Sequence, residues 1–222
     1  GNYSEEFTQA THTPEELFDP GTYKLYVYNQ PGNPAVSGTT ATADYLAGVL
    51  GWLFTSAQSV TIEADKVHEL TATMQQQVRQ LTLVIDPTGS PADKVESITA
   101  TLSGVSGTYD FGSGTHGTPS NVALIFTKQT SDDYAGKWTA TVRLLGVAGA
   151  EQKLTGTIKF TGGNPVDMPL ESDLSSPFSD FNNEKNKPIT LDGQSVELPQ
   201  QPGFTATIND WKKITGGTGI AN

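Results

Sequence analysis

The segment Trp138-Thr-Ala-Thr-Val-Arg-Leu-Leu145 carries the clearest pattern in the chain, an alternation of apolar and polar side chains that holds from Trp138 to Leu144. The apolar side chains occupy one phase, at Trp138, Ala140, Val142 and Leu144. The polar ones occupy the other, at Thr139, Thr141 and Arg143. Because successive side chains of a strand point to opposite faces, this pattern predicts a half-buried β-strand with Trp138 directed inward.

Strand patterns recur on both sides of this segment. The further candidates are Thr22–Asn29, Val60–Ala64, Ser97–Tyr109, Val122–Thr127, Leu154–Phe160, Ile189–Leu198 and Phe204–Trp211. Clusters of Gly, Asn, Asp or Pro separate most of them, and such residues favour turns. Short strands at this spacing are typical of an antiparallel β-sandwich, so we predict an all-β protein.

Three segments depart from this pattern. Residues 1–20 are polar and acidic without periodicity, which indicates a loosely held lead-in. Thr42–Thr55 places apolar residues near helical spacing but contains two glycines, which favours a short helix or an irregular packed segment. Leu170–Phe181 alternates Ser or Asp with Leu and Phe, and we predict a single helical turn over a sheet edge.

The run Leu70–Ile85 is extended in character, but its apolar phase changes along the way. Apolar positions up to Val78 have even numbers, whereas Leu81, Leu83 and Ile85 have odd numbers. A bulge or a change of sheet is therefore expected near Val78–Gln80. We place a domain boundary there, which divides the chain into an N-terminal β-domain, 1–78, and a C-terminal β-sandwich domain, 79–222.

Composition excludes several classes of protein. The 222 residues carry a net charge of −11, so we expect no nucleic-acid partner. With no cysteine, disulfides, thiolate metal sites and cysteine nucleophiles are all excluded. The longest apolar stretch, Tyr45–Phe54, is about half of the roughly 20 residues that a membrane-spanning helix needs. We predict a soluble chain without a signal peptide at its first residues.

One glycine-rich motif resembles a nucleotide-binding fingerprint. Gly112-Ser113-Gly114-Thr115-His116-Gly117 has the required spacing, but the motif works only where a helix begins directly after it. Here the chain runs through Pro119 into the strand predicted at Val122–Thr127. The motif is therefore predicted to be a hairpin loop, and we expect no cofactor.

Other chemistry finds little support in the sequence. His12, His68 and His116 are isolated from one another, and the pairs Asp132-Asp133 and Glu15-Glu16 lack the pattern of a calcium loop, so no metal site is predicted. No serine lies in a Gly-x-Ser-x-Gly elbow, and no spacing singles out a carboxylate pair. We therefore assign no catalytic residue and predict that the protein is not an enzyme.

The three tryptophans, Trp52, Trp138 and Trp211, leave one alternative open. Exposed aromatic rings can stack on sugars, whereas aromatic residues alternating with threonine in strands are more often core. A surface glycan-binding β-sandwich predicts exposed rings, and a structural protein predicts buried ones.

Several segments resemble the fimbrillin-type (type V) fimbrial proteins of Bacteroidales, in the anchor and accessory branch. The segment Pro20–Asn29 (PGTYKLYVYN) is similar to an early strand of that family, and Gln77–Ile85 (QVRQLTLVI) to the strand that opens its second domain. Ile98–Phe111 (ITATLSGVSGTYDF) resembles the strand that follows, and Phe204–Trp211 (FTATINDW) the closing strand. The resemblance extends from Gly21 to Trp211.

The resemblance implies two consecutive transthyretin-like antiparallel β-sandwich domains, of which the first is short for the family. It also implies attachment to the outer membrane through a lipidated cysteine. That cysteine is not among the 222 residues, as we expect of a chain that begins just after it. The resemblance therefore implies a non-catalytic anchor or accessory subunit of a cell-surface pilus, with other fimbrial subunits as its partners and a role in adhesion.

Assembly is expected to proceed by β-strand addition at the closing strand. The residues assigned to it are Phe204, Ala206, Ile208 and Trp211. The glycine-rich tail 215–222 is expected to be disordered or to extend towards a partner. The alternatives are a shaft or tip fimbrillin and a surface protein with a host or glycan ligand.

Overall fold

The computed structural model describes residues 2–89, 91–183, 185–197, 205–208 and 210–214, with the backbone alone for 194–197. Its regular elements are strands, together with three single 3-10 turns. The strands are β1 (Gly21–Tyr28), β2 (Ala35–Ser37), β3 (Thr40–Thr42), β4 (Phe54–Ile62), β5 (Gln75–Gln76), β6 (Arg79–Thr88), β7 (Val95–Asp110), β8 (Thr115–Lys128), β9 (Trp138–Leu144), β10 (Lys153–Phe160), β11 (Met168–Asp173), β12 (Ile189–Glu197), β13 (Ala206–Thr207) and β14 (Trp211–Ile214). The all-β prediction is confirmed. None of the described residues belongs to a helix with the length and hydropathy needed to span a bilayer.

Most strands belong to one curled sheet that folds into two facing halves. The first half has the order β13-β11-β10-β7-β8, and the second has the order β9-β6-β12-β14. Strand β8 links the halves, because its last two residues, Thr127 and Lys128, pair with the start of β9. A core cluster fills the space between the halves and draws buried residues from both. Trp138 belongs to it, which confirms the inward direction predicted for this side chain.

Two of the pairings are parallel and join distant parts of the chain. β12 runs parallel to β6 over Ile189–Glu197, and β13 runs parallel to β11. The remaining pairs within the curled sheet are antiparallel. The halves therefore meet as a β-sandwich whose last strands come from the end of the chain.

A smaller three-stranded sheet, β1-β4-β5, packs beside the curled sheet. It contributes to a second core cluster that includes Leu50, Leu53 and Val78 together with Tyr109, Phe111 and Leu145 of the longer region. Residues numbered below and above 78 thus share this cluster. The division of the chain at residue 78 stays a prediction.

The β7–β8 hairpin is long because it serves both clusters. The part of the hairpin far from its turn packs in the sandwich. The part next to the turn places Tyr109 and Phe111 in the second cluster. A bulge between Ser103 and Val105 separates the two parts. Gly104 lies there with φ +71°, and a Cβ at this position would be 2.2 Å from the carbonyl oxygen of Glu151. The bulge bends the hairpin and changes the direction of its tip, as bulges commonly do.

Three expectations from the sequence need correction. Residues 43–53 form no helix; Gly48 adopts φ +118°, which an α-helix does not allow, and the segment is irregular. Leu70 and Met74 are exposed outside any strand, so the predicted run begins only at β5 and is interrupted at Gln77–Val78. Leu170 lies in strand β11 rather than in a helical turn, because alternate residues from Met168 face the core.

Candidate functional site

The segment 205–214 joins the free edges of the two halves. β13 pairs with β11 at Leu170–Ala206 and Glu171–Thr207, and the Ile208 N–H donates to the Glu171 carbonyl at 3.4 Å. Four residues later in the chain β14 pairs with β12, from Trp211 opposite Gly193 to Ile214 opposite Thr190. The sequence predicts one continuous strand over Phe204–Trp211, and this is wrong. The segment is divided because it must reach two different edges.

The apolar side chains of this segment complete the sandwich core. Ala206 and Ile208 are 2% and 3% exposed and belong to the main cluster. Trp211 packs against that cluster from β14. Gly193 makes room for it, since a Cβ there would lie 2.9 Å from the Trp211 ring and 3.0 Å from Ile208. Of the four residues assigned to assembly, Ala206, Ile208 and Trp211 therefore lie together, and Phe204 lies outside the described residues.

A chain of hydrogen bonds fastens the segment to β11. The indole N–H of Trp211 donates to Ser172 Oγ at 2.7 Å, and the Ser172 hydroxyl donates to the carbonyl oxygen of Ile208. Ser172 is 5% exposed, so both interactions are sheltered from water. A buried hydroxyl that both donates and accepts is fully satisfied, which makes this site sensitive to the loss of any one member.

An ion pair holds the C-terminal end of the segment 205–214, in strand β14. Lys213 Nζ lies 2.6 and 2.7 Å from the two carboxylate oxygens of Asp180. The hydrogen bond from Lys213 holds the pKa of the Asp180 carboxyl below its usual value. Asp180 belongs to a turn-rich segment whose Phe178 and Phe181 are buried in the core. Arg79 supports this segment by donating to the Phe181 carbonyl at 2.9 Å.

Backbone pairing of the closing segment is sparse. Among the described residues, only two of the six positions of β11 pair with β13. Strand β14 pairs over four residues and has no second neighbour within the described part of the chain. Side-chain burial and the two polar fastenings therefore supply much of what holds residues 205–214 in place.

Sequence reasoning missed Ser172, Asp180, Lys213 and Gly193. The sequence contains one indication of this network, at Trp211, because a buried indole needs an acceptor for its N–H. Nothing in the sequence identified Ser172 as that acceptor. Ser172 and Asp180 are distant in sequence from the residues that they bind.

The other sequence candidates are scattered. Gly112–Gly114 lies in the turn of the β7–β8 hairpin, as predicted, with the Gly114 N–H donating to the Asp110 carbonyl at 2.7 Å, and Thr115–Gly117 begins β8. His12 contacts Glu5, His68 accepts from the Glu63 N–H, and His116 lies against Tyr109. The described residues contain no group of three or more potential metal ligands.

The three tryptophans are all at least partly buried. Trp138 is 6% exposed, and Trp211 is tied to Ser172. The Trp52 ring lies 4.1 Å beneath the Arg143 guanidinium. None of them presents the exposed ring that a tryptophan-based glycan site requires.

Comparisons with known structures found proteins with a similar fold. The chain is similar to a candidate adhesin from Bacteroides ovatus ATCC 8483, with a TM-score of 0.54, 14% identity, and coverage of 85% of this chain and 75% of that one. A second candidate adhesin from Bacteroides ovatus has a TM-score of 0.52 and 10% identity, with coverage of 90% of this chain and 74% of that one. The fimbrial anchor protein Mfa2 from Porphyromonas gingivalis has a TM-score of 0.49 and 14% identity, with coverage of 79% of this chain and 69% of that one. No curated protein matches the chain.

The sequence itself matches a family model over nearly its whole length. The match covers residues 2–215 of 222, and the family is described as the fimbrillin-A associated anchor proteins Mfa1 and Mfa2. The resemblance to fimbrial anchor and accessory subunits is thereby confirmed. The chain belongs to the family of fimbrillin-A associated anchor proteins.

Proposed function

We propose that this fimbrial anchor or accessory subunit joins a neighbouring subunit by β-strand addition at the edges bridged by residues 205–214. The observation that carries the proposal is the sparse pairing of this segment. It completes the core of both halves, yet among the residues that the structure describes only Ala206–Thr207 and Trp211–Ile214 pair with β11 and β12. A strand from another subunit could extend either edge.

The physical basis is the cost of an open edge. Unpaired N–H and C=O groups beside an apolar groove are best satisfied by an added strand, whose backbone supplies hydrogen bonds and whose alternate side chains fill the pockets. In this chain the pockets are those that Ala206 and Ile208 occupy. A donor strand would need small or branched apolar residues at alternate positions.

Truncation tests the proposal. A chain that ends before Phe204 should aggregate or capture a foreign strand, because both edges and the core between them would be open. A synthetic peptide with the sequence of residues 205–214 should restore a monomer. The matched control peptide, with Ile208→Asp, should not, since a carboxylate cannot enter the apolar pocket. A truncated chain that stays monomeric with unchanged thermal stability would contradict the proposal.

We further propose that the subunit acts without catalysis. The support is its membership of a family of anchor proteins and a sequence without a nucleophile elbow. Stoichiometric metal in carefully prepared protein, bound through His68 or His116, would contradict this.

Attachment to the outer membrane through a lipidated cysteine is also a proposal, and the family supports it. If it is correct, the encoding gene supplies a lipobox cysteine just before Asn2, and the cell-derived protein carries a fatty-acyl label. A gene without this cysteine would contradict it. A role as a shaft or tip subunit remains the alternative, and a fimbria that elongates normally without this chain would favour the anchor or accessory role.

A further inference from the structure

A short surface segment covers the junction between the two sheets. Residues 182–187, which we call the clasp, lie between Phe181 and strand β12, and residue 184 is outside the described part of the chain. Asn183, Asn186 and Lys187 are exposed, whereas Lys185 is partly buried. The clasp is therefore a surface loop that directs one cationic side chain inward.

Three side chains at the junction of β5 and β6 bind the clasp. Gln76 Nε2 donates to the Lys185 carbonyl at 2.9 Å, and Arg79 Nε donates to the Lys187 carbonyl at 2.7 Å. The amide oxygen of Gln77 accepts from Lys185 Nζ at 2.9 Å. Segments with few buried apolar contacts are the ones that open locally at low cost. The clasp, fastened through polar contacts, is such a segment.

The closed position suits a neutral Lys185 better than a charged one. A protonated amine has three N–H donors, and the Gln77 amide oxygen is the one acceptor that the described residues give it. Nζ lies 3.8 Å from the centroid of the Tyr109 ring, which attracts a cation but does not replace the water lost by the other donors. Burial lowers the pKa of Lys185 to about 7.

A second basic group lies against the same ring. The centroid of the His116 ring is 4.5 Å from that of Tyr109. Its Nε2 atom is buried and has no hydrogen-bond partner among the described residues. Burial and the charge of Lys185 lower the pKa of His116 to about 4. Two bases thus share one aromatic ring, and each is most easily buried in its neutral form.

The surrounding charges do not compensate a proton gained by either base. The described charged groups on the elements around the clasp are Arg79 of the junction, Asp110 of β7, and Asp180 and Lys187 of the turn-rich segment. Asp180 is paired with Lys213, and Asp110 accepts from the Gly112 N–H and the Ser113 hydroxyl. Within the described part of the chain, no carboxylate forms an ion pair with Lys185 or His116.

We infer that the clasp is a pH-dependent cover, which is closed over Tyr109 while Lys185 is neutral and opens when Lys185, and then His116, gains a proton. In water Lys185 regains its ordinary pKa of 10.5, so the open state binds one more proton than the closed state between pH 10.5 and about 7. The ratio of open to closed molecules should therefore rise about tenfold for each unit by which the pH falls in this range. His116 extends the effect from pH 6.5 to about 4.

Distances between spin labels test the inference in the full chain, which has no cysteine of its own. The reporting pair is Asn186→Cys on the clasp and Thr101→Cys on the exposed face of β7. We expect one narrow distance at pH 9 and a second population at pH 6, with an open-to-closed ratio on the order of a hundredfold higher. The control pair, Thr22→Cys with Thr101→Cys, should keep its distance, because β1 stays in place.

Three variants assign the effect to Lys185. Lys185→Met keeps a long side chain without a charge, so it should show only the closed distance from pH 9 to pH 6. Lys159→Met removes an equal charge from an exposed position of β10 and should behave like the unchanged chain. Glu184→Gln alters the neighbouring carboxylate, outside the described residues, and should also preserve the pH dependence. Circular dichroism establishes that each variant is folded.

NMR titration of the Lys185 side chain gives an independent measurement. Its midpoint should lie near 7, well below that of the exposed Lys159. A midpoint near 10.5 would overturn the inference. So would a single label distance at both pH values in the unchanged chain, an equal pH dependence in Lys185→Met, or its loss in Glu184→Gln.

Discussion

Trp211 and Ser172 lie 39 residues apart in the chain, and the indole N–H of the first donates to the hydroxyl of the second at 2.7 Å. Trp211 belongs to β14, at the edge of one half of the sandwich, and Ser172 belongs to β11, in the other half. A single hydrogen bond thus spans the side of the sandwich opposite the β8–β9 link.

Removing this bond should loosen the closing segment. Trp211→Phe keeps an aromatic ring but leaves Ser172 without its donor, so we expect a loss of about 1–2 kcal/mol in the free energy of unfolding. Urea unfolding of Trp211→Phe, Ser172→Ala and the double variant measures the coupling. We expect a coupling energy of about 0.5–3 kcal/mol, as for residues in one network. Additive effects would show that the two residues act independently.

The ion pair at the end of β14 should contribute modestly and in a pH-dependent way. Lys213→Met should lower the free energy of unfolding by less than about 1 kcal/mol at neutral pH, because the pair is partly exposed. Since the pKa of Asp180 is lowered in the folded state, this contribution is present above the unfolded value and is lost as the pH falls through the folded value.

The control for this effect is Lys212→Met, which removes an equal charge from the neighbouring residue of the same strand. It should leave stability almost unchanged. If the two variants lose the same amount of stability, the effect is one of net charge rather than of the Asp180 pair.

Trp138 lies in the sandwich core, and its removal should lower the stability of the protein strongly. Trp138 is 6% exposed, so Trp138→Ala should lower the free energy of unfolding by about 3–5 kcal/mol through the cavity that it leaves. Ile125→Ala, at a position that is 76% exposed, serves as the control and should cost no more than about 0.5 kcal/mol. A loss below about 1 kcal/mol for Trp138→Ala would be inconsistent with its burial.

His116 should make stability fall in weak acid. Burial and the nearby charge of Lys185 lower the pKa of His116 to about 4, from 6.5. Between these values the unfolded chain binds more protons than the folded one, so stability rises with pH through this window. His116→Phe keeps a ring against Tyr109 but has no proton to gain. The wild-type free energy of unfolding should therefore fall more steeply than that of the variant from pH 6.5 towards pH 4. Parallel curves would argue against a buried neutral His116.

Strands that are buried on one face were predictable from the sequence. Five predicted segments correspond to observed strands: Ser97–Tyr109, Val122–Thr127, Trp138–Leu145, Leu154–Phe160 and Ile189–Leu198. Burial of one face makes apolar and polar residues alternate with a period of two, and this pattern is visible in the sequence. The first half of β8 went unrecognised because it extends beyond the sandwich core and contains Gly117 and Pro119.

Strand β11 was misassigned for a different reason. The spacing of Leu170, Leu174, Phe178 and Phe181 imitates a helix, since it repeats every three or four residues. In the structure a strand carries Leu170, and a series of turns places the other three in the core. Burial alone fixes neither the local conformation nor the period, and a mixed strand and turn can place apolar groups at helical spacing.

The candidate site could be predicted only in part. Alternation in the last strand identified Ala206 and Ile208 as inward-facing, as they are. The division of that strand between two edges depends on β11, which pairs antiparallel with β10, and on β12, which pairs parallel with the distant strand β6.

The parallel pairing of β6 with β12 imposes an order on folding. Leu81 and Ile189 are partners although more than a hundred residues separate them, whereas the β7–β8 hairpin pairs neighbouring segments. Local contacts form faster than distant ones, so the hairpin can be in place while β6 still has one empty side. Because the chain is synthesised from its N-terminus, that side stays open until the residues from Ile189 onward are made. Until then β6 has unpaired backbone groups that a strand of another chain can bind, so this half-built state is the one most prone to aggregation.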